Sequence, residues 1–199
     1  GNYNKAEKYL LKALVYEKNH VGSKIELIRI YLETFNINSL GIYRNFINNF
    51  GLRNGEEIIK LMTFFYLDSS PEKQYLRAQN YYKKLFGNTQ NINKVQIKNN
   101  EKKIKVGYVS ANFNDHPVMK IMESIFKNHN KNRFELFAYS LIDFEDDYTK
   151  QVKKYFKSYK NIGSLSLKDA LETIRSDQLN IAVDLMGHTK QNRIELFNQ

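Results

Sequence analysis

Two short stretches carry side chains able to do chemistry. In Lys105-Val-Gly-Tyr-Val-Ser-Ala-Asn-Phe-Asn-Asp-His-Pro-Val118, His116 stands after a run of turn formers and directly before a proline. An imidazole there can donate, accept or act as a weak base near neutral pH. A helix amino terminus beside it favours the neutral ring and attracts anionic groups such as diphosphate. In Asp184-Leu-Met-Gly187-His188-Thr189-Lys-Gln-Asn-Arg193, an acid precedes a glycine that permits a tight turn, and several hydrogen-bonding groups follow. Asp184 and Thr189 can equally serve as caps for the following helical segment, and Arg193 can pair with a neighbouring acid.

These residues need elements to hold them. Ile104, Val106, Tyr108 and Val109 suit a buried strand, Ser110–Asp115 a loop, and Pro117 the first position of a helix, where a missing N–H costs nothing. Strands are expected at Lys103–Ser110, Phe134–Ser140, Asn161–Gly163 and Ile181–Leu185. Helices are expected at Pro117–Asn128, Asp146–Ser158, Leu167–Asp177 and Asn192–Phe197. This strand–helix alternation argues for a parallel sheet with right-handed crossovers, a Rossmann-like half-domain cut off after its last short helix. The loops after the first and last strands then belong at the carboxyl edge of the sheet and can face one cleft, where such sheets place ligands. His129 precedes a strand and belongs at the opposite edge, in a structural role. The acids Asp143, Glu145, Asp146 and Asp147 read as a solvated helix start.

Residues 1–87 follow a different pattern. Tyr3, Ala6, Leu10, Ala13 and Leu14 share a helical face, the chain breaks at His20–Ser23, and a second amphipathic run follows from Ile25 to Leu32. Further helices are expected at Leu40–Phe50, Glu56–Leu67 and Glu72–Phe86, and residues 88–102 read as a polar linker. The fold class is therefore a helical region followed by an α/β unit over 103–199.

Composition narrows the function. There is no cysteine and only four histidines without metal-ligand spacing, so neither a disulfide framework nor a metal site is expected, and no cofactor. No apolar run of membrane-spanning length and no signal peptide is present, which reads as an intracellular, cytoplasmic protein. The net charge of +10 is concentrated in residues 1–102, with 16 basic against 9 acidic residues. There the lysines are spread singly along helix faces, which does not favour nucleic acid as a partner. Neither G-x-G-x-x-G nor G-x-x-x-x-G-K-[ST] occurs, which argues against a complete small nucleotide-binding protein.

The opening Gly1-Asn-Tyr3-Asn-Lys-Ala6-Glu-Lys-Tyr-Leu10-Leu-Lys-Ala13 resembles the second helix of a tetratricopeptide repeat, although Lys18 replaces a frequent proline. Small residues at Ala6 and Ala13 would let a paired helix approach closely. The first motif, His129-Asn-Lys-Asn-Arg133-Phe134-Glu-Leu-Phe-Ala-Tyr139-Ser140, and Asp184–Phe197 resemble, in this order, landmarks of the O-linked N-acetylglucosamine transferase (SPINDLY-type) family. Asn112 departs from that family's frequent aspartate. The resemblance implies an inverting, metal-independent transfer of a sugar, N-acetylglucosamine or a related hexose, from a UDP-sugar to Ser or Thr of an acceptor protein. It also implies two Rossmann-like lobes of GT-B type preceded by tetratricopeptide repeats, of which this chain would hold the repeats and part of the first lobe. On that resemblance His116 lies near the reacting sugar as base or positioning group, and Gly187, His188 and Thr189 bind substrate. Most donor contacts would come from the other lobe, so the fragment alone is expected to be inactive. The rival reading is a helical-repeat module that binds peptides or partner proteins beside a non-catalytic half-domain.

Overall fold

Strand β1, Ile104–Ser110, is a β-branched and aromatic run that becomes fully buried after its first two residues. In the computed structural model, which describes residues 2–53, 55–56, 61–87 and 103–198, it lies inside a four-stranded sheet. The chain forms two compact units, Gly1–Asn88 and Thr89–Gln199. The expected linker, residues 88–102, lies outside the described residues.

The second unit adds β2 (Phe134–Ser140), β3 (Ser158–Asn161) and β4 (Ile181–Asp184) in the spatial order β3-β2-β1-β4, every pair parallel. The first and last strands in sequence are thus neighbours in space, with Val109 opposite Asp184. Successive side chains point to opposite faces of the sheet, and both faces are covered. Val106, Tyr108, Leu136 and Ala138 pack with Met119, Phe126, Val152 and Phe156. Val109, Phe137 and Tyr139 pack with Ile162, Ala170, Leu171 and Leu196. Gly107 lets β1 approach this second layer, since a Cβ there would lie 2.3 Å from Leu179 Cδ1.

The helices of this unit are Pro117–Asn128, Asp147–Lys153 and Leu167–Ser176, and Ile194–Phe197 is a short 3-10 turn. Two expectations are corrected. The helix expected to reach Ser158 stops at Lys153, because Phe156 must turn into the core beside Phe113 and Phe126. The Lys157 amide then donates to Leu136 O at 2.8 Å and starts the edge pairing. Strand β3 consequently begins three residues earlier than its sequence suggests.

The first unit contains helices Tyr3–Tyr16, Val21–Glu33, Ile37–Ile42, Arg44–Asn49, Met62–Phe65 and Pro71–Phe86 among the described residues. Its core is Leu27, Ile28, Ile30, Tyr31, Tyr43, Ile47, Phe50 and Phe64, with Leu10 and Leu14 packed against it. The expected single helix Leu40–Phe50 is two short helices broken at Tyr43, and residues 57–60 of the expected Glu56–Leu67 helix lie outside the described residues. Ala13 is half-buried, whereas Ala6 is exposed. Buried Arg77 ties the last helix to the rest: it donates to Phe50 O, Ile47 O and the Asp68 carboxylate, and lies over the Phe64 ring.

Candidate functional site

The order β3-β2-β1-β4 reverses direction at β1, so the loops leaving β1 and β4 flank a topological switch point, the position where open parallel sheets bind ligands. The first of these loops carries His116 and the second carries Gly187, His188 and Thr189.

His116 is half-buried and caps the helix that starts at Pro117, its Nδ1 accepting the Val118 amide at 3.2 Å. A nitrogen that accepts carries no proton, so the neutral ring has its proton on Nε2. That atom is then a donor. The loop is braced from the side by Asp146, whose carboxylate accepts the Asp115 amide at 2.8 Å while also capping the Asp147–Lys153 helix. These backbone bonds, the Asp115 amide foremost, hold the Asp146 carboxyl below its ordinary range despite the opposing effect of burial. In the rest of the acidic cluster Glu145 pairs with Lys153, and Asp147 pairs with Lys150 on the exposed surface, as a solvated helix start would.

The second loop is folded by Asp184. Its two carboxylate oxygens accept the amides of Met186 at 2.8 Å and Gly187 at 3.0 Å, which fixes the turn. Gly187 has φ +53°, in the left-handed region that favours glycine. Thr189 closes the turn, its hydroxyl and its amide both donating to Met186 O. Thr189 is exposed, and with its proton committed its oxygen is available as an acceptor. His188 is half-buried, and burial lowers its pKa below the ordinary imidazole value while the charge of Asp184 pulls it back upward. Neither Asp184 nor Thr189 caps the following 3-10 turn. Arg193 is structural: it donates to Ile162 O and Leu165 O and pairs with Glu195.

The two loops meet at a residue that sequence reasoning passed over. Met186 is buried, and its sulfur accepts from the Ala111 amide at 3.2 Å, from Asn112 Nδ2 at 3.5 Å and from the Ser110 hydroxyl at 3.7 Å. A methionine between an acid and a glycine carries no chemical signature, so only the fold reveals this role. Asn112 keeps its loop role without a carboxylate, since its amide donates to Ser110 Oγ. His129 lies at the other end of the sheet, with Nε2 2.9 Å from Tyr108 Oη and its ring against Phe134.

Among the described residues no three His, Cys, Asp or Glu side chains are grouped as a metal ion would require, and no helix is long and apolar enough to cross a membrane.

Residues 83–199 match the model of glycosyl transferase family 41. A probable UDP-N-acetylglucosamine-peptide N-acetylglucosaminyltransferase SEC of Arabidopsis thaliana is 29% identical over 97 residues, which cover 48% of this chain and 10% of that protein. The corresponding transferase of Caenorhabditis elegans is 28% identical over 100 residues, 49% of this chain and 9% of that protein. A probable SPINDLY transferase of Arabidopsis thaliana is 28% identical over 102 residues, 49% of this chain and 11% of that protein. The chain thus spans about a tenth of the length of the curated relatives it matches. Its fold is similar to that of a Thermobaculum terrenum O-GlcNAc transferase mutant, with a TM-score of 0.71 and 18% identity over 100% of this chain and 39% of that one.

Proposed function

The chain belongs to glycosyl transferase family 41, and on that premise we propose that it is part of a protein O-glycosyltransferase. The proposed enzyme moves N-acetylglucosamine or a related hexose from a UDP-sugar to Ser or Thr of an acceptor protein, with inversion and without a metal. The observation that carries this reading is the pairing of the His116 loop with the Gly187–Thr189 turn across the switch point of the sheet.

In the proposed reaction the acceptor hydroxyl attacks the anomeric carbon opposite the diphosphate. The bond from that carbon to the diphosphate oxygen breaks, and UDP leaves with the electron pair. An alcohol is a far weaker acid than imidazolium, so its proton leaves late, once the new bond is forming, and passes to water. The tautomer fixed by Val118 supports a positioning role for His116: Nε2–H points a hydrogen bond at the sugar or the acceptor, and the remaining lone pair on Nδ1 is already engaged. A neutral His188 and the Thr189 oxygen add further polar contacts on the facing loop. Diphosphate binding and leaving-group stabilisation would come mainly from outside this chain, so the fragment by itself is proposed to be inactive.

The proposal extends to the helical region, which would hold the acceptor protein, and to a cytoplasmic setting; Val15, Tyr16, Phe35 and Ile42 are exposed on that region. The experiment is to incubate the intact protein with candidate acceptors and each of several UDP-sugars and to weigh the acceptors. One added sugar residue on Ser or Thr supports the reading, and unmodified acceptors with every donor defeat it.

A further inference from the structure

Met186 has surroundings that are unusual for a core methionine. A thioether is a weak acceptor that normally packs against apolar neighbours. Here it receives the Ala111 amide, the Asn112 side-chain amide and the Ser110 hydroxyl, all from the loop that leads to His116. Ala111 is 1% exposed and Met186 4%, so water cannot replace this acceptor. The backbone of Met186 is pinned independently: its amide donates to Asp184 and its carbonyl accepts twice from Thr189. One residue therefore binds one loop through its sulfur and the other through its main chain.

We propose that Met186 is a positioning residue, which holds the His116 loop in register with the Gly187–Thr189 turn so that both address the same substrate. Its effect on turnover rests on the sugar-transfer reading, whereas the tie between the loops rests on geometry alone. The length of the side chain matters as much as its sulfur. A shorter residue at 186 would not reach Ala111, and a branched one keeps the volume while removing the acceptor.

The test uses the intact protein and two substitutions. Met186→Leu preserves volume, a change that cores generally tolerate, and deletes the acceptor. Met186→Gln restores an oxygen acceptor at similar reach. Norleucine at 186, unbranched and without an acceptor, replaces Met186→Leu should leucine disturb the fold. The expected result for Met186→Leu is amide exchange about tenfold faster across Ser110–His116, in keeping with loss of about one net hydrogen bond. Turnover should fall about tenfold with little change in donor KM, and Met186→Gln should recover both. Wild-type exchange in Met186→Leu overturns the proposal, as does faster exchange with unchanged turnover. If the wild-type protein transfers no sugar, the functional reading fails separately. The exchange contrast between Met186→Leu and Met186→Gln then decides the tie: recovery in the glutamine variant supports it, and equal rates overturn it.

Discussion

Nδ1 of His116 accepts the backbone amide of Val118 at 3.2 Å, so one ring both caps a helix and has its proton placed on Nε2. Capping and chemistry are therefore separable by substitution. His116→Ala should lower the stability of the sheet unit by about 1 kcal/mol through loss of the cap, while His116→Asn, a better capping residue, should not. Thermal denaturation of the two variants beside the wild type checks this ordering.

Gly187 has φ +53° with open space where a Cβ would stand, so any penalty at this position is conformational rather than steric. Gly187→Ala should destabilise by about 1 kcal/mol, and Gly187→Asn by less, since asparagine enters the left-handed region more readily. Denaturant titration of both variants reads the difference. Equal losses would show that the turn, and not the residue, absorbs the change.

Acid should act on the helical unit through Asp68. Burial pushes the Asp68 carboxyl upward, but the Ser70 amide and the Arg77 guanidinium outweigh it and hold the group below its ordinary value. A carboxylate depressed in the folded state stabilises above its unfolded pKa, about 3.9, and that stability is lost as pH falls through the lower folded value. Unfolding monitored over pH 6 to 2 should show this decline starting near about pH 4. Arg77→Met should remove about 3–5 kcal/mol at neutral pH by leaving the Ile47 and Phe50 carbonyls unmet and Asp68 with only the Ser70 amide and Lys73 at 3.8 Å, and should reduce the acid dependence.

Much of this architecture is legible in the sequence because period and punctuation agree. Pro117 starts its helix, His129 ends it, and Phe134–Ser140 is a strand over the residues expected. The helix after β2 is misread at its end, because a 3.6 period continues through Phe156 while the core demands a turn there. Strand β3 is polar and at the sheet edge, where Ser158, Lys160 and Asn161 carry no hydrophobic alternation. Within the candidate site, His116, Gly187, His188 and Thr189 draw notice as residue types. The adjacency of β1 and β4 depends on long-range pairing, and Met186 becomes visible only once those strands are side by side.

Replacing Gly107 probes that adjacency. A Cβ there would lie 2.3 Å from Leu179 Cδ1 and 2.9 Å from the Tyr139 ring, so Gly107→Ala should overpack the layer beneath β1. A loss of about 1–3 kcal/mol is expected in chemical denaturation, with partial recovery in the double variant Gly107→Ala, Leu179→Ala.

The most direct measurement of the central claim is the turnover of His116→Asn in the intact protein, followed as sugar mass added to an acceptor under saturating UDP-sugar. A wild-type melting midpoint is expected, with turnover lowered by about 100-fold, because the cap is kept while the Nε2–H donor that positions the substrate is lost. Turnover equal to that of the wild type, in a variant that folds equally well, would contradict it.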